Sequence, residues 1–294
     1  YYAARVASQH RLAGFLESLR GNIYFTDRNN NPIPAAIIKS YPVIFAVPIE
    51  IVDPGLTVSA LEPIINLNKE ELLKKLQKPN DQYELIIRKA LLNQVQKVQD
   101  SQLKGIYIDE ENLRLYPFGN LAANLLGFVG ATAENFNSSG LYGLELYYED
   151  HLAGKPGVLD GNQIKNQIPG KNLQLTVDVN IQARAEEILQ NLIQKYKATS
   201  GLVIVQETKT GAILAMGKYP NFDPNSYSES PIENFLNPIV QSVYEPGSVL
   251  KVITMAAGLD SKKLTPETSF YDSGYLTLNG RTIKNWDLKA HGKV

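Results

Sequence analysis

The stretch Glu245-Pro246-Gly247-Ser248-Val249-Leu250-Lys251, running on into Val252-Ile253-Thr254-Met255-Ala256-Ala257, reads as a turn feeding directly into an apolar helix. Proline and glycine ahead of a run at helical spacing mark a helix N-terminus. Ser248 then lies in or just before the first turn and Lys251 follows three residues later, a separation that puts hydroxyl and amine on one face. A serine hydroxyl becomes a useful nucleophile when a neighbouring base takes its proton, so the pairing points to acyl transfer through an active-site serine. Glu245, Pro246 and Gly247 shape the turn rather than touch a substrate.

A second Ser-x-x-Lys, Ser101 to Lys104, closes a helical pattern and runs into the strand-like Gly105-Ile106-Tyr107-Ile108; it reads as coincidence. The difference between the two tetrads lies in their surroundings.

At 294 residues the chain has room for two domains. Hydrophobic residues at 44% and charged residues at 20% suit an ordinary core, and a formal charge of -1 argues against a nucleic-acid partner. Cysteine is absent, which excludes disulfide scaffolds, thiol catalysis and cysteine-based zinc sites. His10, His151 and His291 are far apart and follow no ligand spacing, so neither a metal nor another cofactor is expected. No stretch is long and apolar enough to span a membrane; Ala35 to Val52 is interrupted by Lys39, Pro42, Pro48 and Glu50. The first residue is Tyr1 rather than Met, which suggests material removed upstream, a membrane anchor among the possibilities.

Upstream of the serine, residues 3 to 19 suit an amphipathic helix. Arg20 to Asn29 is a strand pattern running into a turn around Asn29 to Asn31, and Tyr41 to Val47 reads as a strand. Leu72, Leu73 and Leu76 stripe a short helix ended by Pro79-Asn80-Asp81, and Tyr83, Ile86, Ile87, Ala90, Leu91, Val95 and Val98 predict a second, longer one. Another helix should run from Gly143 to about His151. Gly154, Pro156, Gly157, Gly161, Pro169 and Gly170 crowd a stretch that places a domain boundary between about 155 and 171. Beyond it, Leu173 to Val177 is a strand, Asp178 caps a helix reaching Tyr196, and 201–205 with 212–216 form a hairpin.

This succession resembles a class B penicillin-binding protein, the transpeptidase that cross-links peptidoglycan. The resemblance rests on Arg20-Gly21 to Asp27-Arg28-Asn29, Tyr116-Pro117 to Gly130, Gly143-Leu144-Glu145, Leu175 to Asp178 with Ile181-Gln182, Thr210-Gly211 to Tyr219-Pro220-x-Phe222-Asp223-Pro224, and the Ser248 segment. It covers essentially the whole chain. The fold it implies is α+β: a non-catalytic pedestal of the dimerisation type over 1–170, then over 171–294 the first, incomplete portion of a β-lactamase-like transpeptidase domain. It further implies Ser248 as the nucleophile that attacks D-Ala-D-Ala stem peptides, Lys251 as general base, and β-lactams as covalent inhibitors of the same serine. The Ser248 backbone N–H would contribute to the oxyanion hole. Membrane-embedded glycan polymerases and division or elongation proteins are the implied partners. A transmembrane helix would end about where Tyr1 begins, holding the domains on the extracytoplasmic, periplasmic side of the cell membrane.

Two departures stand out. The Arg20 to Asn29 segment is longer than its commonest form, with Asn30 where glycine is usual, a matter for a turn in the pedestal. More seriously, the family's Ser-x-Asn and later Lys-Thr/Ser-Gly do not follow Ser248. Lys209-Thr210-Gly211 precedes the nucleophile and sits in the hairpin turn, so it is a decoy. For a lysine to act as a base near neutrality its ammonium form must be destabilised by about 4 kcal/mol. A helix N-terminus supplies about 0.3–1 kcal/mol of that. Burial and a second cation supply the rest, and the resemblance places both on the Lys-Thr-Gly strand. The 294 residues alone are therefore expected to be inactive, within a parent that is an enzyme. The alternative is a cell-wall scaffold with a degenerate transpeptidase-like half, in which Ser248 merely caps a helix.

Overall fold

The computed structural model describes residues 18–130, 139–160 and 163–294. All but the last two positions of the helix expected over 3–19 lie outside them. The chain forms two compact units, 1–241 and 242–294. In the first, the order is β1 (Ile23–Thr26), β2 (Pro32–Ala46), α1 (Pro54–Leu61), α2 (Lys69–Leu76), β3 (Glu84–Ile87), α3 (Leu92–Ser101), β4 (Ile106–Leu115) and α4 (Ala123–Leu126). Then follow β5 (Val129–Gly130), β6 (Ser139–Gly140), α5 (Gly143–Tyr147), α6 (Glu149–Leu152), β7 (Val158–Asp160) and β8 (Gln163–Lys165). The unit ends with β9 (Leu173–Asp178), α7 (Val179–Tyr196), β10 (Gly201–Gln206) and β11 (Ile213–Tyr219), then a short helical turn at Pro238–Gln241.

The 15-residue strand β2 is the spine. Its first residues pair antiparallel with β1, its remainder with β4 from Ile37↔Leu115 to Ala46↔Ile106, and its last residues with β3. Each end of β2 serves a separate core. At the far end, Ile44, Ala46, Val58, Leu61, Ile65, Leu72, Leu76, Ile86 and Val98 bury α1, α2 and α3 against the sheet. At the near end, Phe128 is the hub, stacked on Tyr227 at 4.1 Å between centroids and met edge-on by Phe222 and Phe235.

The helix expected to run from Tyr83 through Val98 is a correction. Residues 84–87 are strand β3, with Ile44↔Ile87 and Phe45↔Leu85 in register, and the helix occupies only 92–101. The apolar spacing fits both periods over so short a run, and the open edge of β2 decides it. Lys89, at φ +66°, and the backbone bond from Ala90 N–H to Pro42 C=O separate the two elements.

The glycine- and proline-rich stretch at 154–170 follows α6. It forms the β7–β8 hairpin, closed by a bridge between Lys155 and Ile168, and returns the chain to the first sheet. There β9 pairs in parallel with β1. Gly21 and Lys171 approach so closely that a Cβ at Gly21 would sit 2.0 Å from the Lys171 carbonyl oxygen, so the Arg20-Gly21 pair needs its glycine for contact. The division between compact units falls at 241/242.

Charge is buried where these segments meet. The Glu145 carboxylate, with 0% exposure, accepts from Arg20 Nε at 2.7 Å on one oxygen and from Arg114 Nε at 2.7 Å on the other. Arg20 also donates to the Glu145 carbonyl and to Glu149 Oε2, and Arg114 Nη1 to the Gly21 carbonyl. Burial, reinforced by the Glu145 charge, raises the Tyr116 hydroxyl well above its usual range, so it stays a donor to Glu145. Removing one partner of such a set strands the others' charge in a dry place. Glu145→Gln is therefore expected to lower the unfolding free energy by about 3–5 kcal/mol, read from the shift of a urea transition. Asp27→Asn, on a turn outside the cluster, is expected to move the transition far less.

Candidate active-site serine

Three of the resemblance segments converge to hold the hairpin that precedes the serine. Asp178 caps α7, its Oδ1 accepting from Asn180 and Ile181 N–H. Gln182, fully buried, uses both ends of its amide on the Met216 backbone, N–H to Oε1 at 2.8 Å and Nε2 to the carbonyl at 3.0 Å. Thr176 donates to the Ile213 carbonyl. These contacts satisfy one edge of the antiparallel β10–β11 pair, whose register runs from Gly201↔Tyr219 to Gln206↔Ile213. After β11, Asn225 clasps the Tyr116 backbone, accepting from its N–H and donating to its carbonyl. Lys218 donates to the carbonyls of Glu233, Asn234 and Leu236, which fixes the loop that follows.

The serine lies in the second unit. Gly247–Val249 is a 3-10 turn that leads without a break into α8 (Leu250–Asp260). Gly247 takes φ +56°, a left-handed conformation that costs an L-residue about 1–2 kcal/mol. Ser248 is thus in the turn and Lys251 is the second residue of the helix, as the spacing predicted. Both side chains are exposed, and among the described residues no hydrogen bond joins them. Helix α8 buries none of its residues: Leu250, Val252, Ile253, Met255 and Leu259 are all exposed, the least of them Leu259 at 40%. Lys209-Thr210-Gly211, the decoy, turns the hairpin between β10 and β11. Ser101, the other tetrad serine, is the last residue of α3 and donates to the Val98 carbonyl.

Downstream of α8 the unit contains β12 (Tyr271–Asp272), β13 (Tyr275–Leu278), β14 (Arg281–Lys284) and β15 (Gly292–Lys293), paired β12–β15 and β13–β14. A side-chain clasp that residue spacing had not suggested ties them. His291 Nδ1 meets Asp272 Oδ2 at 2.7 Å, and Nε2 meets Asp287 Oδ2 at 3.0 Å. Asn285 Nδ2 also donates to Asp272. Trp286 is 94% exposed. No cluster able to hold a metal ion occurs among the described residues, and no helix among them is long and apolar enough to cross a membrane.

With this arrangement established, comparison with known proteins fixes the class. A family model for the penicillin-binding protein dimerisation domain matches residues 16–175, and one for the penicillin-binding protein transpeptidase domain matches 201–293. The chain belongs to the penicillin-binding protein family. It is 32% identical to Stage V sporulation protein D of Bacillus subtilis over 293 residues, covering 94% of this chain and 44% of that protein. Against the peptidoglycan D,D-transpeptidase FtsI of Escherichia coli K12 it is 28% identical over 277 residues, covering 88% and 46%. The chain thus spans less than half the length of either relative. In fold it is similar to a penicillin-binding protein, PBP2, solved in complex with MreC from Helicobacter pylori, with a TM-score of 0.70 at 22% identity, covering 95% of this chain and 58% of that one. The expected α+β architecture, a dimerisation-type domain followed by a portion of a transpeptidase domain, is the one found.

The clasp has a definite pH dependence. Hydrogen bonds to Asp287 and Asp272 raise the His291 imidazole above its ordinary value. Asp272 is held low, first by the Gly274 N–H, and Asp287 first by the Lys289 N–H. A raised imidazole contributes stability that is complete below its unfolded value and lost as pH rises through the folded one. The depressed carboxylates lose theirs only as pH falls through their lowered values. The β12–β15 clasp is therefore tightest at mildly acidic pH and loosens toward alkaline pH. An NMR titration should place the His291 midpoint above that of free histidine and move it downward in Asp287→Asn. An unchanged midpoint in that variant would contradict the clasp.

Proposed function

We propose that this chain carries the pedestal and the serine-bearing portion of a peptidoglycan D,D-transpeptidase, with Ser248 as nucleophile and Lys251 as general base. The observation that carries the reading is the glycine-hinged turn that delivers Ser248 into the start of an apolar helix with Lys251 one turn on. The similarity to a named D,D-transpeptidase supports it. In the reaction, the Lys251 amine accepts the Ser248 proton as Oγ bonds to the penultimate D-alanine carbonyl of a stem peptide. Collapse of the tetrahedral adduct expels the terminal D-alanine, whose amine takes up a proton, and leaves an acyl-enzyme. The amine of a neighbouring stem peptide then attacks the ester, forming the cross-link and returning the proton to Ser248. A β-lactam would acylate the same oxygen. Such chemistry places the domains outside the cytoplasmic membrane, where cross-linking occurs, beside the glycan polymerase and the division or elongation proteins that supply nascent strands.

The 294 residues are, on this reading, not sufficient for catalysis. Ser248 and Lys251 are exposed and not hydrogen-bonded to each other, whereas a lysine base works in a dry site against a second cation. Labelled penicillin should therefore leave the 294-residue chain essentially unmodified and acylate the full-length protein. Ser248→Ala should abolish that acylation, and Lys251→Ala should slow it by about 10²–10⁴-fold. Acylation surviving Ser248→Ala would sink the nucleophile assignment. Unimpaired cell-wall growth with the same variant would favour the scaffold reading, in which the serine only caps a helix.

A further inference from the structure

A cavity of about 450 Å³ opens in the first unit, between β4 and the segment after β3 on one side and β5 and the 224–227 turn on the other. None of its lining residues belongs to 242–294. Its size is that of ordinary ligand pockets. Its wall carries three cations, Arg88, Lys89 and Arg114, against one carboxylate, Glu111.

The cations are not equivalent. Arg88 Nε already holds Glu111 at 2.8 Å, so that pair is neutral. Arg114 spends Nε on Glu145 and Nη1 on the Gly21 carbonyl, while its Nη2 is buried with no hydrogen-bond partner among the described residues. A buried guanidinium N–H without an acceptor is costly, and a ligand oxygen would relieve it. Lys89 has no acidic partner within 4 Å among the described residues; its ammonium lies 5.3 Å from the Tyr41 ring centroid. Its backbone at φ +66° is one an L-residue adopts only under constraint, and such positions concentrate at binding sites. Opposite them stand Val129 and Tyr227, whose ring is fixed by stacking on Phe128.

Unpaired positive charge on one wall and a rigid aromatic ring with an aliphatic neighbour on the other suit a ligand with an anionic end and an apolar body. We propose that this cavity binds a carboxylate-bearing peptide, with Lys89 and the free Arg114 N–H on the carboxylate and Tyr227 and Val129 against its side chains. Guanidinium and ammonium groups make their strongest hydrogen bonds to ionised carboxylates. The assignment does not depend on Ser248, and its test involves no acylation.

The probe is N-acetyl-L-alanyl-L-alanine, with its C-terminal amide as neutral control, titrated into the 294-residue chain by 1H–15N NMR. Saturable shifts centred on the amides of Lys89, Val129 and Gly130 are expected for the acid, with at least tenfold weaker binding of the amide. Lys89→Gln should weaken the acid at least fivefold, and Lys89→Arg should hold it within about twofold. Lys39 also sits over the Tyr41 ring but does not line the cavity, so Lys39→Gln should change nothing. Equal binding of acid and amide, no saturable binding, or Lys89→Gln behaving as wild type would overturn the proposal. Inorganic phosphate displacing the peptide at tenfold lower concentration would overturn the peptide assignment in favour of a phosphate site.

Discussion

A single buried carboxylate organises the first unit. Glu145 lies wholly out of water and receives Arg20, Arg114 and Tyr116 from segments 29 to 125 residues away. Desolvation alone would lower the Arg20 pKa, but the hydrogen bond to Glu149 and the charges of Glu145 and Glu149 outweigh it and leave it raised. Ion pairs of this kind add little net stability over an apolar core, yet they tolerate very few alternative arrangements. Here the cluster fixes how the start of β1, the end of β4 and helices α5 and α6 meet, and Gly140 N–H joins it through Glu149 Oε2. The neighbouring aromatic hub around Phe128 supplies the apolar burial that makes the site dry.

Much of this arrangement could be read from the sequence because local chemistry fixed it. Asp178 before Ile181, Ala185, Ile188 and Leu189 announced a capped helix, and two apolar runs around Thr210-Gly211 announced the hairpin; both are present. The turn into the Ser248 helix was equally clear, because Pro246 and Gly247 dictate it. What escaped detection was set by partners distant in the chain. Strand β3 is a strand because β2 offers it an edge, and nothing within 83–98 says so. Strand β2 itself extends back to Pro32, where prolines at 34 and 42 obscured a ladder that accommodates them. The Asp272–His291–Asp287 clasp joins residues on three separate turns and strands, so no spacing rule could have suggested it.

The stretch at 154–170 stood out by composition, and composition measures local backbone freedom rather than where contacts end. Glycines there serve close approach: Gly170 N–H donates to Leu19 C=O, and a Cβ at Gly170 would lie 1.8 Å from the Leu152 carbonyl oxygen. Crowded glycines can mark a seam as readily as a linker. The seam here joins β9 to β1, so the pedestal sheet and the strand leading to the serine share one ladder.

The serine helix poses the remaining physical problem. An α-helix that is apolar around most of its circumference is stable when covered on most of its circumference. α8 shows Leu250, Val252, Ile253 and Met255 to solvent, an apolar area whose exposure opposes folding of the turn that carries Ser248. Whatever surface covers that helix also removes water from around its first turn, where Lys251 stands. The same dry surroundings are what a lysine base requires before it can take a proton from serine. On the proposed reading of Ser248 and Lys251, covering α8 and drying the lysine would be one event.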